Sequence, residues 1–296
     1  MFTGSVAVAF ASACSVALAV DEHQCERDAD CKARGSAFKN THCSEQFVCV
    51  KNKKTNTNTD DDPRFACAND EPASIDTSRE VGVEIRFADS ATGSAPSDLA
   101  VRLCATTDPN CEAPRSTLSG ETSDEGDGYV KLSADGALTG TVEYGFEGFF
   151  ETTGGGYDKT LRYTSPPLSD DSVFDQILLK SSTIDEFAGL LGSEFKRDTH
   201  GLVFVLAHDC ERAALSGVRF TVDNEDDSTV PFYVINTAPS TTADKTDALG
   251  RAGFLNVPPG ITLFTAEWAD TGEPIGSASV VVRAGAVTTV AVLPSP

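Results

Sequence analysis

Apolar and polar residues alternate along much of this chain, over stretches too short and too regular for helices. Val81, Val83, Ile85 and Phe87 alternate with Gly82, Glu84, Arg86 and Ala88, the period of a strand with one buried face. Val101 and Leu103 continue on a second strand ending at Cys104, and 141–144, 149–152 and 173–179 read as further strands. A second set opens with the apolar run 202–207 and continues through 218–222. Phe254, Leu255 and Val257 form a short strand that Pro258, Pro259 and Gly260 end, and 261–268 starts the next. Within that next strand Phe264, Ala266 and Trp268 share a face opposite Glu267, which assigns the tryptophan to a core. Pro231, Phe232, Tyr233 and Val234, followed by the long loop 237–246, read as the exposed surface best suited to binding. One stretch carries a helical signal. Thr183 and Glu186 form a capping box, Asp185 and Glu186 complement the dipole, Phe187, Leu190 and Leu191 share a face, and Gly192 stops the helix.

Turns punctuate the strands. Asp247 offers a short acceptor side chain and Gly250 a residue free to take positive φ. The run 122–132, turn then strand, echoes 246–255, an internal repeat that points to two related domains. The expected architecture is all-β: two tandem sandwiches over 79–181 and 200–296, joined by a short helix within 182–199.

Residues 246–260 resemble the TD-x-x-G…F-x-V-PPG signature of carboxypeptidase-regulatory-like (transthyretin-like) β-sandwich domains. Residues 280–292, two β-branched strands about Gly285, resemble the closing hairpin of that family. The resemblance covers 200–294 and implies immunoglobulin/transthyretin-like sandwiches. With its cysteine-rich start, the whole chain is similar to secreted or lipid-anchored myxobacterial surface proteins of unknown function. Domains of this kind act as structural, adhesive or stabilising modules, and some related folds bind glycans.

Residues 1–20 carry no charge and match the apolar part of an export signal. Ala17, Leu18 and Ala19 offer a cleavage site; alternatively 11–14 is a departed lipobox with Cys14 as the lipid-modified residue. A buried N-terminal apolar segment is the plainer alternative. There are nine cysteines, and setting Cys14 aside leaves an even number, as a disulfide framework in an oxidising compartment requires. Residues 21–50 form a small module containing Cys25, Cys31, Cys43 and Cys49. Symmetric spacing favours Cys25–Cys43 and Cys31–Cys49, although four cysteines allow other pairings. Zinc, with His23 and His42, is the sharper alternative, but the close Cys pairs of zinc sites are missing. Residues 51–78 read as a polar linker. Cys104 and Cys111 flank an Asp-Pro turn and suit a local bridge, whereas pairing of Cys67 with Cys210 would tie the linker to the second sandwich.

The formal charge of −22 excludes nucleic acid and anionic lipid as partners held by charge, leaving a lipid anchor as the membrane contact. No cofactor motif occurs. The four histidines fall in no catalytic motif, and His200 and His208 merely flank the strand 202–207. Ser36 and Lys39 match Ser-x-x-Lys without its companion motifs. Asp124, Asp127, Asp223, Asp226 and Asp227 sit in acidic turns that could offer oxygen ligands to calcium, against the default of solvated turns. The expectation is an exported, non-enzymatic surface or matrix protein with a structural or adhesive role. The alternatives are a glycan- or calcium-dependent binding module, or an accessory domain of a surface enzyme complex, with a surface glycan or protein as partner.

Overall fold

The computed structural model describes residues 62–115, 117–122, 127–132 and 136–295, with short pieces at 27, 29–30, 41–43 and 49–51. The chain divides into two units, Met1–Thr57 and Asn58–Pro296. In the first, β1 (Thr41–Cys43) pairs antiparallel with β2 (Cys49–Lys51), so Cys43 and Cys49 are register partners. Cys14, Cys25, Cys31 and His23 lie outside the described residues, and with them the anchor, the two module bridges and the zinc alternative.

The second unit holds the strands that the alternation predicts. Its first half comprises β3 (Asp76–Asp89), β4 (Leu99–Ala105), β5 (Glu121–Thr122), β6 (Val130–Lys131), β7 (Ala137–Tyr144), β8 (Gly148–Gly154), β9 (Thr160–Tyr163) and β10 (Ser172–Leu178). After α1 (Ser181–Leu190) come β11 (Gly201–Ala207), β12 (Val218–Val222), β13 (Val230–Ile235), β14 (Ala238–Ser240), β15 (Arg251–Val257), β16 (Gly260–Trp268), β17 (Pro274–Val282) and β18 (Val287–Val292).

Both halves follow one pairing scheme. The first strand runs parallel to the last, β3 to β10 and β11 to β18, and antiparallel to a middle strand, β7 or β15. Three others form the facing antiparallel sheet, β4-β8-β9 or β12-β16-β17. The protein is therefore all-β, with two tandem sandwiches of immunoglobulin/transthyretin-like kind. The scheme corrects the internal repeat: the counterpart of β15 is β7, whereas β6, within the echoed run 122–132, is an extra strand beside β4.

The sandwiches are joined by more than a helix. β9 pairs in parallel with β18, Leu161 opposite Thr288 and Arg162 opposite Thr289. This fuses β4-β8-β9 of the first sandwich with β18-β11-β15 of the second into one ten-stranded sheet. Side chains alternate between the faces of that sheet. On one face Val101, Leu103 and Phe150 pack with Ile85 and Phe174. On the other, Phe149, Leu161 and Tyr163 join Val203, Val205, Phe264 and Val280. The two small sheets thus cover opposite faces of the shared one.

The helix also departs from expectation. It begins at Ser181 after Lys180, with no side-chain cap and no acid in its first turn. Thr183 and Glu186 are therefore not a capping box. The earlier start turns Ile184, Ala188 and Leu191 onto Leu202, Phe232, Leu255 and Val287, and leaves Leu190 73% exposed. Gly192, with φ of 72°, ends the helix as expected. The expected closing hairpin is an arch: β17 belongs to the small sheet with β16, and β18 crosses to the shared sheet. The signature turn holds, with Asp247 accepting from the Leu249 amide at 2.8 Å and Gly250 at φ 63°.

Candidate functional site

Among the described residues, long-range polar contacts concentrate at the joint between the sandwiches. Four devices build it. The first is the end of the linker. The Asp62 carboxylate accepts from the Arg64 amide at 3.0 Å, and Pro63 opens the short 3-10 helix Pro63–Asn69. That turn sends Phe65 into the second core, edge-on to a half-buried Trp268 at 5.8 Å. Cys67 is bonded to Cys210, and the Cys210 amide donates to the Arg64 carbonyl at 2.9 Å. The expected long-range bridge is present, and Cys104–Cys111 is present too.

The second device is Glu151. It sits on β8 with no exposed surface. Tyr129 donates to it at 2.6 Å, Arg102 at 3.0 Å, Lys159 lies at 3.2 Å, and Arg283, just past β17, donates to its other oxygen. Arg283 also donates to the Pro109 carbonyl at 2.6 Å. A residue of the second sandwich thereby closes on a carboxylate of the first. Burial alone would raise the Glu151 pKa; the hydrogen bonds from Tyr129 and Arg283 and the charges of Arg283 and Lys159 outweigh it and hold it at about 2. Tyr129 is pushed up to about 12 by burial and by its bond to that carboxylate.

The third device is Tyr163 on β9, whose hydroxyl accepts from the Val281 amide of β17 at 2.7 Å. The fourth is Arg197, which donates to Asp158 at 2.8 Å and to Asp185 on α1 at 2.7 Å, so Asp185 serves an ion pair rather than the helix dipole. Asn256, in the F-x-V stretch, accepts from the Lys196 amide at 2.8 Å and donates to the Glu194 carbonyl at 2.9 Å, fixing the segment between helix and second sandwich.

The residues expected to bind are placed elsewhere. Phe232 and Tyr233 are buried, 1% and 7% exposed, so the proposed exposed aromatic surface is core: Phe232 meets Phe187 of the helix at 4.9 Å. Alternation favours this outcome, since β13 pairs with β15 in the shared sheet, one face turning Tyr233 to the second core and the other turning Phe232 under α1. Asp124 lies outside the described residues. The Asp127 carboxylate accepts from the Tyr129 amide, Asp223 from the Leu263 amide at 2.8 Å, and Asp226 from the Ser228 amide at 2.8 Å and from His200 at 3.0 Å. Asp227 shares the Asp226 turn. Asp127 and Asp226 thus hold local turns and Asp223 reaches across to β16, and among the described residues no group of three or more His, Cys, Asp or Glu is placed to hold a metal.

His200 meets more than solvent. Its Nε2 faces both Asp226 at 3.0 Å and Ser228 at 3.2 Å, while Nδ1 faces Thr199 at 2.8 Å. A serine–histidine–carboxylate relay needs serine and acid on different ring nitrogens, so Ser228 is not an activated nucleophile. His208 is half-buried at the end of β11. Sequence reading missed Glu151 and its cations. The signal was an acid directly after two phenylalanines in a strand, where a buried charge demands partners.

No family model matches this chain, and no curated protein matches it. Among solved structures it is similar to the Bacillus anthracis TIE protein, at 12% identity and TM-score 0.22, covering 73% of this chain and 34% of that one. A streptococcal ancillary pilin follows at 15% identity and TM-score 0.22, covering 75% and 64%. A CBM26 module from Eubacterium rectale, in complex with maltoheptaose, stands at 11% identity and TM-score 0.23, covering 73% and 93%. The chain thus spans about a third of the first and under two thirds of the second. Similarity at these scores carries no weight here; the fold rests on the strand pairing. Among the described residues no helix is long and apolar enough to cross a membrane.

Proposed function

We propose that this chain is an exported, non-catalytic β-protein with a structural or adhesive role at the cell surface or in the matrix. The observation that carries this reading is the joint. Two sandwiches share one sheet through β9 and β18, and Glu151, Tyr163 and Cys67–Cys210 reinforce it across long sequence distances. Such a joint removes the hinge that tandem domains otherwise possess. A rigid two-sandwich body suits spacing and display better than closure around a substrate. The disulfides fit an oxidising compartment. The two copies of one pairing scheme, with the turn at Asp247 and Gly250, support membership of 200–294 in the carboxypeptidase-regulatory-like domains.

Intact producing cells treated with a membrane-impermeant amine reagent test this reading. The protein is expected to be labelled, with its cysteines oxidised and its N-terminus processed within 1–20. Unlabelled protein with free thiols in the cytosol overturns it.

A further inference from the structure

We propose that the junction carries an oxyanion-binding site, formed by Arg162, Arg212 and His208 beside Phe174, that takes a phosphate- or carboxylate-type group. Arg162 lies on β9, 8% exposed, and its Nε and Nη1 are buried without any acceptor. Arg212, from the loop after β11, brings a second guanidinium to the same aromatic ring: Arg162 stands 5.7 Å and Arg212 5.9 Å from the Phe174 centroid. One arginine comes from each sandwich and the ring from β10, so the site exists only when the sandwiches are fused.

The charge around this spot is unbalanced. Asp175 and Asp170 act on the guanidiniums from a distance, without an ion pair to either. His208 feels Arg162, Arg212 and Arg251 together, opposed by Asp209. The Asp209 carboxylate already accepts from the amides of Glu211 and Ala213. Burial first, and then these arginines, lower the His208 pKa, so at neutral pH the imidazole is uncharged and keeps one N–H to donate. A buried guanidinium with orphaned N–H groups is costly, and such groups call for a bound partner. In a chain of charge −22, a cluster of cations around one ring is not explained by composition. Arginine nitrogens with a neighbouring imidazole donor match an oxyanion, which accepts several charge-assisted hydrogen bonds at once. This proposal is independent of where the protein resides.

The test uses the full chain. Its melting temperature is followed against inorganic phosphate at constant ionic strength held with chloride, since general screening must be separated from site binding. A saturable rise is expected. Arg212→Gln, at an exposed position, is expected to weaken the apparent phosphate affinity roughly tenfold or more, the effect of losing one charge-assisted hydrogen bond. Arg162→Leu is expected to abolish the response while melting no lower than the parent without phosphate, because it removes an uncompensated charge. If Arg162→Leu does not fold, Arg212→Gln decides alone. A second arm compares galacturonate with oligogalacturonate: tighter binding per carboxylate for the oligomer assigns the site to an acidic polymer, and equal binding assigns it to a free small anion. No saturable response, as when a buried water alone satisfies the Arg162 nitrogens, or a response unchanged in Arg212→Gln, overturns the proposal.

Discussion

The two sandwiches share a pairing scheme and differ in what each presents to its neighbour. The first offers the sheet β4-β8-β9 to the joint; the second offers β18-β11-β15. Their remaining sheets therefore fall on opposite faces, and the second sandwich has a face of the shared sheet left to cover. Helix α1 covers it, through Ile184, Ala188 and Leu191. The first sandwich is stapled locally, by Cys104–Cys111, while the second is stapled to the distant linker by Cys67–Cys210. Identical topology, then, does not fix how a domain is closed. Position in the fused sheet does.

Breaking the two staples separately exposes that difference most strongly. In the chain-entropy picture the Cys67–Cys210 bridge, spanning 143 residues, contributes about 5 kcal/mol, and the Cys104–Cys111 bridge, spanning 7, about 2.5 kcal/mol. Urea titrations of the two double Cys→Ser variants are expected to rank in that order. Next comes the helix-covered face: Phe232→Ala should cost about 3–5 kcal/mol in the same titration, since the ring is buried under Phe187. An exposed binding aromatic would cost almost nothing.

Glu151→Gln probes the electrostatic clasp between the halves. Removing the carboxylate leaves Arg102 and Arg283 facing each other without compensation, and about 3 kcal/mol of stability should be lost. The pH dependence has a definite sign. The folded pKa of about 2 lies below the ordinary 4.5, so this contribution is complete above pH 4.5 and is lost as pH falls towards 2. Acid titration of the parent should show this loss, and Glu151→Gln should flatten it. Gly250→Ala is expected to cost about 1–3 kcal/mol, because φ is 63° and a Cβ would meet the Ala207 carbonyl at 2.6 Å. At the small end, Leu190→Ala should stay within about 0.5 kcal/mol, the side chain being 73% exposed.

Local patterning carried much of this architecture. The alternation at Val81 to Phe87 and the Asp247–Gly250 turn are short-range signals, and both elements form where that reading puts them. What the pattern misses is set by distant partners. β9 alternates Leu161 and Tyr163 with Thr160 and Arg162 over only four residues, too short a run to read as a strand, and it is one because β8 and β18 flank it. The arch at Gly285 and a hairpin there share the same local chemistry; only the sheet each strand joins separates them. Phe232 looks like a binding aromatic until the helix that covers it is placed. The partners of Glu151 were hidden for the same reason, since Arg102, Tyr129, Lys159 and Arg283 come from four separate segments.

Amide hydrogen exchange along β9 and β18 tests the shared sheet most directly. The account predicts that the hydrogen-bonded amides between Thr160 and Arg162 and between Val287 and Thr289 exchange as slowly as those in the centre of β8. Exchange in these strands at the rate of a free sheet edge, with β8 and β11 still protected, would show two separate sandwiches and contradict it.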